Sequence, residues 1–285
     1  RYNEASRTIE EVIPLLETPK PDFFLLLANM LLRSKEEARA IYYLEKILNS
    51  SETKNNANEE QLLLTLFFAF EQAGKDERAI RYLEDLVEKS TKIEYLRYLS
   101  NMYGKVGRQK DQLAILVLLY ENGGLEKLSD IETLIHLSIE QRNFHSAGVI
   151  LLQGMQREVS WKNPDKYFLL SQIWFKANNI KEGSKALKRA ALLSQSGVYF
   201  LELARFQGSS NEWKASTDSA KKAIEKGLSS SQRDEANLII GQSLYNEGNL
   251  AGARAHFLVI SADAKFFDQA KNWVRHINKI HKTDS

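Results

Sequence analysis

Residues 239–257 read IIGQSLYNEGNLAGARAHF, and this stretch decides the fold class. Apolar residues before the turn at 247–249 recur at helical spacing, and Gly248 is a typical residue for ending a helix. After the turn, the small residue Ala253 is followed four residues later by apolar Phe257, which falls on the same helix face. The stretch therefore predicts two α-helices joined by a short turn, with close approach of their backbones at the small residues.

The same spacing, a small or polar residue followed after four by an apolar one, recurs along the whole chain. The marker residues are Ala5, Ala40, Ala79, Gln112, Ala147, Gly183, Ser216 and Ala253. Their mean separation is about 35 residues, and tetratricopeptide repeats (TPRs) have a period of about 34 residues. Each such unit is a helix pair that cannot bury its apolar stripe alone, so it must stack on its neighbours.

The repeats predict an all-α chain, a TPR-type α-solenoid in which helix-turn-helix repeats form a right-handed superhelix. We expect residues 1–17 to be the second helix of a truncated repeat and residues 21–261 to form seven consecutive repeats. Residues 262–282 are predicted to form the C-terminal capping helix that a solenoid needs. No alternating run of β-branched residues bounded by turns predicts a strand.

Two kinds of connection follow from the polar segments. Short turns are predicted at 72–75, 105–108 and 178–179, where glycine or asparagine follows a helical stretch. The stretch Ser50–Glu60, SSETKNNANEE, is predicted to be a longer loop between repeats. It is either a surface insertion or a binding loop.

Composition excludes several classes of function. The 285 residues carry a net charge of +2, which gives no basic footprint for nucleic acid. No apolar run of about 18 residues predicts a transmembrane segment. The absence of cysteine excludes disulfides, thiolate zinc sites and cysteine nucleophiles. Because the chain opens inside a second helix, we expect further residues before Arg1, where a signal peptide or anchor would lie.

A search for catalytic chemistry finds no constellation. The five histidines show no metal-binding spacing, and Gly104-x-x-Gly107 lacks the rest of a phosphate-binding loop. The sequence therefore predicts no enzyme, no catalytic residue, no metal and no cofactor. Basic residues near the C-terminus indicate either a solvated helix end or a surface for a membrane or nucleic acid.

The TPR resemblance implies that the first helix of each repeat lines a concave groove that binds protein segments. Counting eleven residues back from the markers gives a mostly polar ladder: Asn29, Phe68, Asn101, His136, Gln172, Arg205 and Gln242. Amide side chains both donate and accept, so they suit a peptide backbone, although the ladder is equally consistent with a solvated lining. The predicted partner-binding residues are Arg97, Asn101, His136, Phe168, Gln172, Phe175, Arg205 and Tyr245.

Arg97 and Asn101 resemble the first half of the carboxylate clamp of chaperone-binding TPR domains. Arg97 could hold a partner carboxylate through its guanidinium. However, Thr133, Asp165 and Leu169 stand where that clamp has Asn, Lys and Arg. Capture of a chaperone C-terminus is therefore not expected.

Several segments together resemble the periplasmic TPR proteins found with TonB, ExbB and ExbD systems of Gram-negative bacteria. The segments are Glu94-Tyr95, Leu99-Ser100-x-Met102-Tyr103, Leu113-Ala114, Tyr120–Leu125, Leu187–Ser194, Trp213, Ala223–Gly227, Gly241–Asn246 and Ala270-x-x-Trp273. Their order and spacing, over residues 22–280, carry the resemblance.

This resemblance implies a periplasmic adaptor that binds TonB, ExbB or ExbD components and supports iron uptake, without catalysing a reaction. The alternative is a scaffold for envelope assembly or polysaccharide export, which would organise secretion or cell-wall enzymes. Oligomeric state is not predicted. Identification of the partner protein would distinguish the adaptor from the scaffold.

Overall fold

A computed structural model of the chain describes residues 2–15, 20–49 and 57–283. Within these ranges the chain is all-helical and contains no strand, so the prediction of an all-α chain built from helix hairpins is confirmed. Two short 3₁₀ turns lie at Ile13–Leu15 and Val159–Trp161. The α-helices are α1 Tyr2–Val12, α2 Pro21–Arg33, α3 Glu37–Leu48, α4 Ala57–Gln72, α5 Asp76–Lys89, α6 Ile93–Lys105, α7 Gln109–Glu121, α8 Leu128–Glu140, α9 Phe144–Arg157, α10 Pro164–Lys176, α11 Ile180–Leu193, α12 Val198–Ser209, α13 Trp213–Glu225, α14 Ser230–Asn246, α15 Leu250–Leu258 and α16 Phe267–Thr283.

The chain divides into two compact units, residues 1–137 (unit 1) and 138–285 (unit 2). In unit 1, α2 packs on α3, α4 on α5 and α6 on α7, and these hairpins stack through contacts of α1 with α2, of α3 with α4 and of α5 with α6. In unit 2 the same arrangement joins α10 to α11, α12 to α13 and α14 to α15, and α16 covers α15. Each unit therefore builds its core from stacked hairpins.

The predicted turns are confirmed by their backbone conformation. The turns at 72–75, 105–108, 178–179 and 247–249 each contain one residue in the left-handed region: Gly74, Gly107, Asn178 and Gly248. At Gly248 (φ 83°) the chain leaves α14, and the amide of Asn249 donates back to the carbonyl of Leu244. This bond satisfies a helix-end carbonyl, as expected of a glycine that ends a helix.

The marker residues lie where the paired helices approach. Six of the eight markers are buried, and Ala5 and Gln112 are half-buried. Gln112 fits because Gly104, eight residues earlier, leaves room: a Cβ on Gly104 would lie 2.6 Å from the Gln112 amide nitrogen. The reverse arrangement occurs at Gly183, where a Cβ would lie 2.5 Å from the ring of Phe175. Facing positions are therefore complementary in volume rather than uniformly small.

The loop predicted at Ser50–Glu60 is shorter than expected. Residues 50–56 lie outside the described residues, but α4 begins at Ala57, so the prediction of a loop as far as Glu60 is wrong at its end. Glu60 lies in the first turn of α4, where an acidic residue interacts favourably with the helix dipole. Glu60 is also bonded to the Lys92 ammonium at 2.5 Å and to the Tyr95 hydroxyl, which ties the start of α4 to α6.

Candidate functional site

The predicted groove ladder is accessible throughout. Every one of its seven side chains is exposed or half-buried, whereas neighbouring positions on the same helices form the core. For example, Asn101 is exposed between buried Ser100 and buried Met102. The eight predicted binding residues fall into two sets, three in unit 1 and five in unit 2.

In unit 1, Arg97 and Asn101 lie on α6 and His136 lies exposed on α8. Arg97 and Asn101 line a cavity of about 190 Å³, and Gln112, Glu126 and Asp130 also contribute to its wall. The cavity is small and bears both positive and negative side chains. It suits a short polar group better than an apolar side chain.

Arg97 is already engaged. Its guanidinium donates to the backbone carbonyl of Gly124, at 3.3 Å from Nε and 2.9 Å from Nη2, and pairs with Glu126 at 3.0 Å. Gly124 is buried, so its carbonyl needs a donor. Arg97 therefore holds the connection between α7 and α8, and a partner carboxylate would have to compete with Glu126 for the guanidinium.

Arg97→Ala is expected to lower the free energy of unfolding by about 1 kcal/mol, because the Gly124 carbonyl loses its donor. The Glu126 pair adds little, since Glu126 is highly exposed. Asn101→Ala, one turn along the same exposed face, is expected to change stability by less than about 0.5 kcal/mol. Urea unfolding of both variants measures the difference, and equal stabilities would show that the Gly124 contact contributes nothing.

In unit 2 the predicted residues come together in what we call the unit 2 groove, lined by Phe168, Gln172, Phe175, Arg205, Gln242 and Trp273. It contains one cavity of about 400 Å³ between α10 and α12, and a second of about 420 Å³ between α12, α14 and α16. Arg205 and Ser209 line both cavities, so the two are adjacent. Tyr245 lines neither cavity, but its ring lies 4.8 Å from that of Trp273.

Aromatic pairs form the apolar part of this groove. The ring of Phe168 lies 5.0 Å from that of Tyr199, and Phe175 stacks on Phe206 at 4.9 Å. The Tyr199 hydroxyl donates to Asp165, and burial, followed by that bond, raises the pKa of Tyr199 to about 12. These half-buried rings offer rigid apolar surface of the kind that dominates protein interfaces.

Arg205 is the charged centre of the groove. Its Nε and Nη2 donate to the two carboxylate oxygens of Glu235 at 2.6 and 2.7 Å, and its Nη1 donates to Glu202. The bond to Glu235 is the main cause of a raised pKa for Arg205, so the guanidinium stays charged. Three of its five N–H groups are used, and the remaining two are available to a carbonyl or carboxylate of a partner.

Sequence reasoning missed Phe206, Glu202 and Trp273, which line the groove, and Tyr199 and Glu235, which contact its lining residues. The two glutamates stand three residues before and thirty after Arg205, and periodicity carries no information on such pairs. Trp273 lies on α16, for which the sequence predicted a capping helix with basic residues and no part in the groove. Its ring stacks on Phe257 at 5.7 Å, so one residue both covers the core and lines the groove.

Among the described residues, no group of three or more histidine, aspartate or glutamate side chains is arranged to hold a metal ion. None of the described helices has the length and apolar composition needed to cross a bilayer.

Comparison with models of protein families and with curated proteins gives no match. Solved structures do resemble the chain. A tetratricopeptide repeat protein from Parabacteroides merdae is 14% identical with a TM-score of 0.41, covering 90% of this chain and 98% of its own. The C-terminal part of a TPR protein from Cytophaga hutchinsonii is 14% identical with a TM-score of 0.47, and the match covers 88% of this chain and 99% of that one. The TPR2AB domain of yeast Sti1, in complex with pHSP90, is 13% identical with a TM-score of 0.41, and the match covers 90% of this chain and 98% of that one.

Proposed function

We propose that this protein is a non-enzymatic scaffold that binds an extended segment of a partner protein in the unit 2 groove. The observation that carries the proposal is the pair of adjacent cavities, about 400 and 420 Å³, that meet at Arg205 and Ser209. Each cavity has the size and mixed lining of a site for one large side chain. Two such cavities in series suit a chain that passes over α12.

The polar residues of the groove suit the backbone of that segment. Gln172 is exposed at one cavity, and Gln242 and Asn246 lie at the other. Amides satisfy both the N–H and the C=O groups of an extended peptide, which has no internal hydrogen bonds. The aromatic rings would then supply affinity, and the amides would set direction and register.

The finer proposal concerns the identity of the partner. We propose a periplasmic protein whose partner belongs to a TonB, ExbB and ExbD system for iron uptake. Support comes from the order and spacing of the motifs over residues 22–280. Crosslinking the full-length protein in its native envelope, followed by mass spectrometry, tests this identity. Recovery of TonB, ExbB or ExbD would support it, and recovery of export or cell-wall enzymes without them would favour an assembly scaffold.

Ser209→Arg tests whether the groove is the binding surface. Ser209 is exposed where the two cavities meet, so a long charged side chain there would block both. We expect at least about tenfold weaker binding of the captured partner by calorimetric titration, since truncation or blocking of an interface centre costs 2 kcal/mol or more.

Ser210→Arg provides the matched control. Ser210 is also exposed, follows directly in the chain and lines neither cavity. It is expected to bind within about twofold of the wild-type protein. If Ser209→Arg and Ser210→Arg bind equally well, the groove is not the binding surface.

A further inference from the structure

Charge is distributed very unevenly between the two units. Unit 1 contains 18 Lys and Arg against 23 Asp and Glu, a net charge of −5, whereas unit 2 contains 21 against 14, a net charge of +7. The overall charge of +2 conceals this difference. Unit 2 alone therefore has the positive balance that attracts anionic partners.

The positive charge of unit 2 concentrates near the C-terminal ends of its second helices. Positions five, six, nine and ten after each marker in α9, α11 and α13 carry six exposed cations: Arg157, Lys188, Arg189, Lys221, Lys222 and Lys226. Glu225 and Asp263 are the acidic residues at the equivalent positions of unit 2. At the same positions, α3, α5 and α7 of unit 1 carry five acidic residues and only Lys46 and Lys89 as cations. Because every helix has the same dipole, the dipole does not explain the difference.

Apolar side chains are exposed at the same set of positions. They are Leu152 (40%), Leu192 (57%), Leu193 (37%), Leu258 (55%) and Val259 (62%). We call these cations and apolar residues together the basic-apolar patch. Exposed apolar side chains gain nothing from contact with a phosphodiester backbone, but they are buried when a surface enters the headgroup region of a bilayer.

Contacts within unit 2 bring the C-terminal ends of α11 and α13 together. The Lys226 ammonium on the end of α13 donates to the carbonyl of Ser194, just after α11, at 2.5 Å. The ammonium nitrogen of Lys222 lies 5.9 Å from the centre of the ring of Phe200, a residue at the start of α12. On α15, burial and then the positive charge of Lys221 lower the pKa of His256. The ends of α11 and α13, which carry five of the six cations, therefore form one surface.

We infer that the basic-apolar patch docks unit 2 onto a bilayer surface rich in anionic phospholipid. Lysine and arginine side chains would lie against the anionic headgroups, and the exposed leucine and valine side chains would enter the interface between headgroups and acyl chains. This surface lies on the second helices, whereas the unit 2 groove is formed by first helices and α16. A membrane-docked protein would therefore keep its groove available to a partner.

The test is flotation of the purified protein with vesicles of phosphatidylcholine alone or with about 30% phosphatidylglycerol. Binding is expected only with the anionic vesicles and should weaken as salt concentration rises. The double variant Lys188→Gln, Lys221→Gln is expected to bind about thirtyfold more weakly, since each basic residue near an anionic surface contributes about fivefold.

The matched control is Lys181→Gln, Lys214→Gln. It removes the same charge from the same two helices, but at their N-terminal ends, where both residues are exposed. Its binding is expected to fall by no more than about threefold. Absence of flotation with anionic vesicles, or equal losses in the two double variants, would overturn the proposal.

Leu192→Ser, Leu258→Ser separates a membrane from other polyanions. This variant is expected to bind anionic vesicles about tenfold more weakly while its retention on immobilised heparin stays unchanged. If it binds vesicles like the wild-type protein, the surface is a general polyanion site for nucleic acid or an acidic protein, and the membrane proposal fails. Circular dichroism of each variant confirms that these exposed substitutions leave the helices intact.

Discussion

Phe257→Ala is expected to lower the free energy of unfolding of unit 2 by about 3–5 kcal/mol. Phe257 on α15 is only 2% exposed, and its ring stacks on that of Trp273 on α16. On its other side the ring occupies the space beside Gly241, where a Cβ would lie 2.5 Å from it. Truncation would therefore open a cavity where α14, α15 and α16 meet, and glycine offers no side chain to fill it.

Urea unfolding followed by tryptophan fluorescence measures this loss, since Trp273 reports directly on the site. Leu258→Ala is the matched control: it truncates the next residue of the same helix, which is 55% exposed. It is expected to change stability by less than about 0.5 kcal/mol. Similar stabilities for the two variants would mean that the α14–α15–α16 junction contributes little to unit 2.

Gly241 and Phe257 also show what the sequence could predict. Phe257 was identified from its spacing to Ala253, and Gly241 is one of the small residues of the stretch 239–257 in which close approach of the helices was predicted. The exposed ladder of first-helix residues followed from the same period, since a fixed register fixes which side chains face away from the core. Periodicity therefore predicted helices, turns and accessible faces.

Features that depend on one particular pair of residues were not predictable in this way. Gln112 is the largest of the marker residues, and it fits only because Gly104 faces it. Arg97 and Arg205 were predicted as partner-binding residues, and the carbonyl of Gly124 and the carboxylates of Glu202 and Glu235 already occupy much of their donor capacity. The contacts of Arg97 with Gly124 and of Arg205 with Glu235 join residues 27 and 30 positions apart in the chain, and hydrophobic spacing carries no information on such pairs.

The second large effect is expected at Gly197, which precedes α12. Its φ of −71° is accessible to any residue, so the requirement for glycine is steric. A Cβ there would lie 2.0 Å from the backbone carbonyl oxygen of Ala223 and 2.9 Å from that of Gly227. The Gly197 amide also donates to the Gly227 carbonyl at 3.3 Å, which holds the turn against the end of α13.

Gly197→Ala is therefore expected to destabilise unit 2 by about 3 kcal/mol, the upper range for overpacking, because backbone atoms cannot move aside as a side chain can.

Gly208→Ala, a substitution in α12 itself, is the control. A Cβ at Gly208 would meet only the Ser216 hydroxyl, at 3.3 Å, and alanine favours the helix. Its stability should stay within about 0.5 kcal/mol of the wild-type value. If thermal and urea unfolding give both variants the same stability, the α12 turn does not lie against α13 as closely as the structure has it. Because Lys226 and Ser194 meet at this same junction, Gly197→Ala should also weaken vesicle binding, although it removes no charge.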